Sequence, residues 1–95
     1  MKLKILKSFK EKLNKQIDFI AKDKPQTASK FKKDLINKLK EIPKNPLVYR
    51  KSIFFDRDDI RDLIFKGYII IYKINKTEKE IEVFGLTKYE NNPFD

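Results

Sequence analysis

The chain contains no cysteine and no histidine. The first absence excludes disulfides and thiolate nucleophiles, the second removes the imidazole base, and together they remove the usual zinc ligands. Any chemistry must therefore use lysine, arginine, tyrosine, aspartate or glutamate. Glycine stands only at Gly67 and Gly85, so no glycine-rich loop is available to cradle a phosphate, and no cofactor is expected. Long apolar runs are also missing. No window approaches the length of a membrane span, and the start, "MKLKILKSFK", lacks the core of a signal peptide, so a cytoplasmic protein without a membrane partner is expected. Arginine is scarce, at Arg50, Arg57 and Arg61 alone. The net charge of +9 is thus carried almost wholly by lysine, which grips anions as a point charge rather than through a bidentate fork. Such an excess favours polyanionic partners: nucleic acid, an anionic surface or an acidic protein segment.

What is present is a single small domain. In 95 residues, 40% hydrophobic content with eight phenylalanines and four tyrosines is enough for one core. Lys2 to Leu6 alternates polar and apolar and predicts a short, half-buried edge strand. Ser8-Phe9-Lys10-Glu11 has capping-box spacing and predicts a helix start. Phe9, Leu13, Ile17, Ile20 and Ala21 then form one apolar stripe running to about Lys22. Asp23-Lys24-Pro25 breaks this helix and opens a second, since proline is tolerated in a first turn. Ala28, Phe31, Leu35, Leu39 and Ile42 make its stripe, and Pro43 and Pro46 end it. Neither helix carries arginine and both are evenly amphipathic, which disfavours a DNA-reading helix pair.

Beyond the turn-like "PKNPLVYRK" the period becomes that of strands. Ile53-Phe54-Phe55 is a short apolar piece, and strands are predicted over 60–65, 68–74 and 81–87. The fold class is α+β: a strand, an antiparallel helical hairpin, then a three-stranded antiparallel sheet. In the 68–74 strand, Tyr68, Ile70, Tyr72 and Ile74 face one way and Ile69 and Ile71 the other, so both faces need cover. The helical hairpin supplies one cover. The other face, joined by Phe84 and Leu86, has no evident cover and is either a binding surface or a minor core closed by sheet curvature. The acidic run from Asp56 to Asp59 lacks the glycine of a calcium loop, its sixth position being Arg61, and no metal site is expected.

Four segments together resemble the RelE/ParE superfamily of toxins from bacterial type II toxin-antitoxin pairs. "QIDFIAKDKPQTASKF" (Gln16 to Phe31) is similar to the family's helical break, and "LKEIPKNP" (Leu39 to Pro46) to its helix exit. "IRDLIFKGYIIIYKI" (Ile60 to Ile74) resembles its arginine-x-leucine strand and glycine-tyrosine strand, and "IEVFGLTKYENNP" (Ile81 to Pro93) its last strand and basic exit. The resemblance implies one toxin domain over residues 1–95, silenced by a cognate acidic antitoxin encoded nearby, with Ile69, Ile71, Phe84 and Leu86 as the antitoxin contact. It also implies a target, either DNA gyrase or the ribosome with its mRNA, met through Arg50, Lys51, Lys73 and Lys88.

The superfamily's nuclease branch makes a further expectation testable. Metal-free RNA cleavage needs a base for the 2′-hydroxyl, cations for the phosphorane and an acid for the leaving oxygen. This sequence has Ile60 and Asp62 where that branch has lysines, and Ile69 where it has an arginine. The catalytic set implied for a ribonuclease is thus reduced to Lys88, Tyr89 and Arg61. No match to the branch's later tyrosine stands before the sequence stops at Asp95. Arg61 alternatively braces the sheet edge through Asp59 or Glu82, and Tyr68 and Tyr72 are expected in the core with hydroxyls at the sheet margin. The favoured expectation is a gyrase-directed, non-nuclease toxin; the alternatives are a ribosome-dependent endoribonuclease and an inactive member that only binds its antitoxin.

Overall fold

A computed structural model describes residues 1–89 of the chain. The order is β1 (Lys2–Ile5), α1 (Lys7–Asp23), α2 (Pro25–Glu41), a 3-10 turn (Ile42–Lys44), β2 (Arg50–Lys51), β3 (Ile60–Phe65), β4 (Tyr68–Asn75) and β5 (Glu80–Lys88). The expected α+β fold is present. Its sheet has five strands in the order β1-β5-β4-β3-β2, with β1 parallel to β5 and the other neighbours antiparallel. The two-residue β2 falls in the stretch read as a turn, and in Ile53-Phe54-Phe55 the first two residues form a turn and Phe55 is irregular, so no strand forms there.

The first helix does not use the capping box. The Leu6 amide still donates to Val83 O at 3.0 Å, continuing the β1 pairing, and Leu6 is already the helix N-cap, without a side-chain cap. Helix α1 therefore starts at Lys7, which places Ser8 inside its first turn, where Oγ donates to Phe84 O at 3.4 Å. A strand leading straight into a helix leaves no room for the separate cap that the local spacing implied. Lys24 alone separates the two helices, and Pro25 takes the first helical position as expected.

The main core lies between the helical hairpin and one face of the sheet. Phe9, Leu13, Phe31, Leu35 and Leu39 pack there with Leu63, Ile70, Tyr72, Ile74, Ile81 and Val83. Both predicted core tyrosines point their hydroxyls to the margin: Tyr68 donates to Gln16 Oε1 at 3.0 Å and Tyr72 to Pro46 O at 2.6 Å. Burial pushes the Tyr72 hydroxyl well above the ordinary tyrosine range, so it is fixed as a donor.

Candidate functional site

The face of the sheet turned away from the helices is built from Ile60, Ile69 and Ile71, with Phe84 packed against them. Leu86 is not part of it. Between the pairs Ile71 with Gly85 and Tyr72 with Val83 the register slips, leaving Phe84 as the extra residue of a β-bulge. The bulge switches the strand's parity, so Phe84 stays on the open side while Leu86, opposite Ile70, joins the helix-side core. Nor is this face bare. Ile69 and Ile71 are 4% and 8% exposed, and the Phe55 ring stands edge-on over Phe84 at 5.9 Å. The expectation of an uncovered face is corrected: the 52–59 loop supplies part of the cover. The exposed apolar groups are instead the rim, Ile53, Phe54, Phe55 and Ile64. A cavity of about 300 Å³ lies among Phe54, Phe55, Ile71, Phe84, Gly85 and Leu86, and Lys12 of α1 and Thr87 also line it.

Asp62 holds that loop in place, a role the sequence reading did not assign. It is 1% exposed, and its Oδ2 accepts from the Ile53 amide at 3.0 Å and from Arg50 at 3.4 Å. Its Oδ1 has no partner among the described residues. The available signal was an aspartate at the middle of the alternating pattern Ile60, Asp62, Ile64, a position where a buried carboxylate needs donors from a neighbouring segment. The unbroken triplet Ile53-Phe54-Phe55 in a charged loop was the matching signal for a cover.

The cations named from the sequence are dispersed. Arg61 braces the sheet edge, but through backbone carbonyls rather than through Asp59 or Glu82. Nε donates to Asp58 O at 2.9 Å and Nη1 to Tyr49 O at 3.1 Å. Asp59 pairs instead with Arg57, whose hydrogen bonds hold its carboxyl below the usual range. Lys51 meets Asp56 at 3.0 Å, which raises its ammonium above the ordinary lysine value. Lys73 lies beside Arg57 and Asp59 in a shallow groove at the other end of β4 from Tyr68. Lys88 pairs in register with Tyr68, whereas Arg61 pairs with Tyr72. The two are therefore four residues along and two strands across, on the order of 16 Å of sheet. Tyr89 follows Lys88, its amide donating to Gly67 O at 2.7 Å, and the residue is 41% exposed. Lys88, Tyr89 and Arg61 are not brought together around one phosphate. The tail of the last resemblance segment, 90–93, and the chain end at 95 lie outside the described residues.

Among the described residues no cluster of histidine, cysteine, aspartate or glutamate could hold a metal ion. No helix there is long and apolar enough to cross a membrane. Comparison with curated proteins finds no match. The family model described as the ParE toxin of the type II toxin-antitoxin system, parDE, matches residues 3–92, which takes in both helices and, except for Lys2 at the start of β1, all five described strands. With this match over nearly the whole sequence and the strand, helical hairpin and antiparallel sheet in the expected order, the chain belongs to the ParE toxin family of type II toxin-antitoxin systems.

Proposed function

We propose that this toxin acts by gripping a protein target, DNA gyrase, rather than by cutting RNA, and that its antitoxin silences it by covering the open side of the sheet. The observation that carries the first part is Ile69. It occupies the position of the nuclease arginine and lies 4% exposed in an apolar cluster, where it can neither donate a hydrogen bond nor meet a phosphate. The separation of Lys88 from Arg61 supports the same reading. The second part rests on the rim of Ile53, Phe54, Phe55 and Ile64 beside the cavity over Ile71 and Phe84. An acidic, aromatic-seeking antitoxin segment gains apolar burial there and charge complementarity from the lysine-rich surface.

A supercoiling assay with purified gyrase tests the target. The purified toxin is expected to block supercoiling or to accumulate cleaved plasmid, and its antitoxin to reverse the effect. Unimpaired supercoiling together with transcript cleavage in a translating extract would instead establish the ribosome-dependent nuclease.

A further inference from the structure

Between α1 and the C-terminal end of β5 lies a second feature, a cleft of about 120 Å³. Lys12 and Lys15 reach it from the helix, Lys88 and Thr87 from the strand, and Tyr68 and Gln16 complete the polar part of its lining. Lys12, Lys15, Gln16 and Phe19 stand at i, i+3, i+4 and i+7 of α1 and so share one helix face. Among the described residues no carboxylate lines the cleft. The acidic partners that other lysines find, at Glu11, Asp34, Asp56 and Asp58, are not shared by Lys12, Lys15 or Lys88 among the described residues. Three lysines thus line one cleft with no counter-charge among the described residues. The neutral donors are also preset: the Tyr68 hydroxyl engages Gln16 Oε1 at 3.0 Å, which orients the Gln16 amide and leaves its nitrogen to donate elsewhere.

Beside the lysines stands an aromatic ring that the core does not use. Phe19 is 64% exposed, and the Lys88 ammonium lies 5.7 Å from its centroid. Cations that can follow a phosphate backbone, flanked by an open ring on which a base can stack, are what single-stranded nucleic acid requires. A duplex keeps its base faces stacked and has no use for the ring, and an acidic peptide needs the lysines alone. We propose that this cleft binds single-stranded nucleic acid, with a backbone phosphate among Lys12, Lys15 and Lys88 and the adjoining base on Phe19. The site is on the helix side of the molecule's β5 end. It adjoins the cavity on the open side of the sheet, with which it shares Lys12, Leu86 and Thr87, but its aromatic platform, Phe19, and Lys15 belong to the cleft's own helix face.

Fluorescence anisotropy of the purified chain with labelled oligothymidylate and oligouridylate of equal length, across a salt series, tests this. Binding is expected, with tighter oligouridylate assigning the ligand as RNA and tighter oligothymidylate as DNA. Lys12→Gln with Lys15→Gln should weaken it about tenfold and flatten the salt slope by about 1.4, the share of two contacts to a single strand. Phe19→Ala should weaken it by roughly tenfold while leaving the slope unchanged. Lys76→Gln with Lys79→Gln removes the same charge at the far end of the β4–β5 hairpin and should cost less than about twofold. All these positions are on the surface, so each variant is expected to melt like the parent chain. Three results would overturn the proposal: no binding, equal losses in the two double variants, or an oligoglutamate that competes as well as the oligonucleotide and ignores Phe19→Ala. The last would assign the cleft to an acidic protein segment.

Discussion

Asp62 is a carboxylate at 1% exposure whose Oδ2 accepts from the Ile53 amide at 3.0 Å and from the half-exposed Arg50 at 3.4 Å. Read along the sequence, it is a negative charge standing where a nuclease needs a positive one. In the fold it is the pin that holds the Ile53 to Phe55 segment across the sheet. Removing a buried acceptor of a charge-assisted hydrogen bond leaves the Ile53 amide without its partner. Asp62→Ala is therefore expected to lower unfolding stability by about 2 kcal/mol in a denaturant titration and to make the Phe54 and Phe55 bonds sensitive to chymotrypsin. Lys51→Ala, which breaks only exposed pairs with Asp56 and Asp58, should stay within about 0.5 kcal/mol of the parent. Equal losses in the two variants would contradict the pin. Arg61 illustrates how far a residue can be read from sequence: its bracing role was legible, its partners were not. Which oxygen a guanidinium finds depends on the path of the 49–58 segment, and that path is not encoded in local spacing.

Apart from the two-residue β2, which has no apolar pattern, the strands and helices followed from periodicity and from proline placement. The exceptions arose where two elements touch. The capping box at Ser8 lost to the β1 pairing that carries through Leu6. Leu86 changed faces because a bulge at Phe84 inserts one residue, which a strict two-residue period cannot anticipate. Gly85, directly opposite Ile71, marks the site of that slip. A Cβ there would lie 3.0 Å from both Cβ and Cδ1 of Ile71, closer than ordinary contact. Gly85→Val is expected to displace Ile71 and disturb the Ile60, Ile69, Ile71 and Phe84 cluster, with a loss of about 1–3 kcal/mol and weakened antitoxin binding by titration calorimetry. Gly67→Ala makes a useful contrast: its φ of 83° is costly for any side chain, but a Cβ there meets nothing within 4 Å. It should lower stability by about 1 kcal/mol and spare antitoxin binding. A Gly85→Val protein that bound antitoxin as tightly as the parent would separate the bulge from the docking surface.

At the scale of the whole molecule, a helical hairpin covers one face of the sheet, a short aromatic loop partly covers the other, and lysines dominate the remainder. The family was legible from four segments in order, because their spacing reflects the topology that positions them. The candidate site was legible only as a face, Ile69 with Ile71 and Phe84; its cover, its pin at Asp62 and the lysine cleft all come from residues far apart in sequence. The central claim is that this toxin scaffold carries a gripping surface in place of a nuclease centre. Pulse-labelling with methionine and thymidine in the minutes after inducing this chain alone in a bacterial host tests it most directly. Thymidine incorporation is predicted to stop first, while methionine incorporation continues. An immediate arrest of methionine incorporation with DNA synthesis still running would contradict the account and make Lys88 and Tyr89 the residues to examine for RNA cleavage.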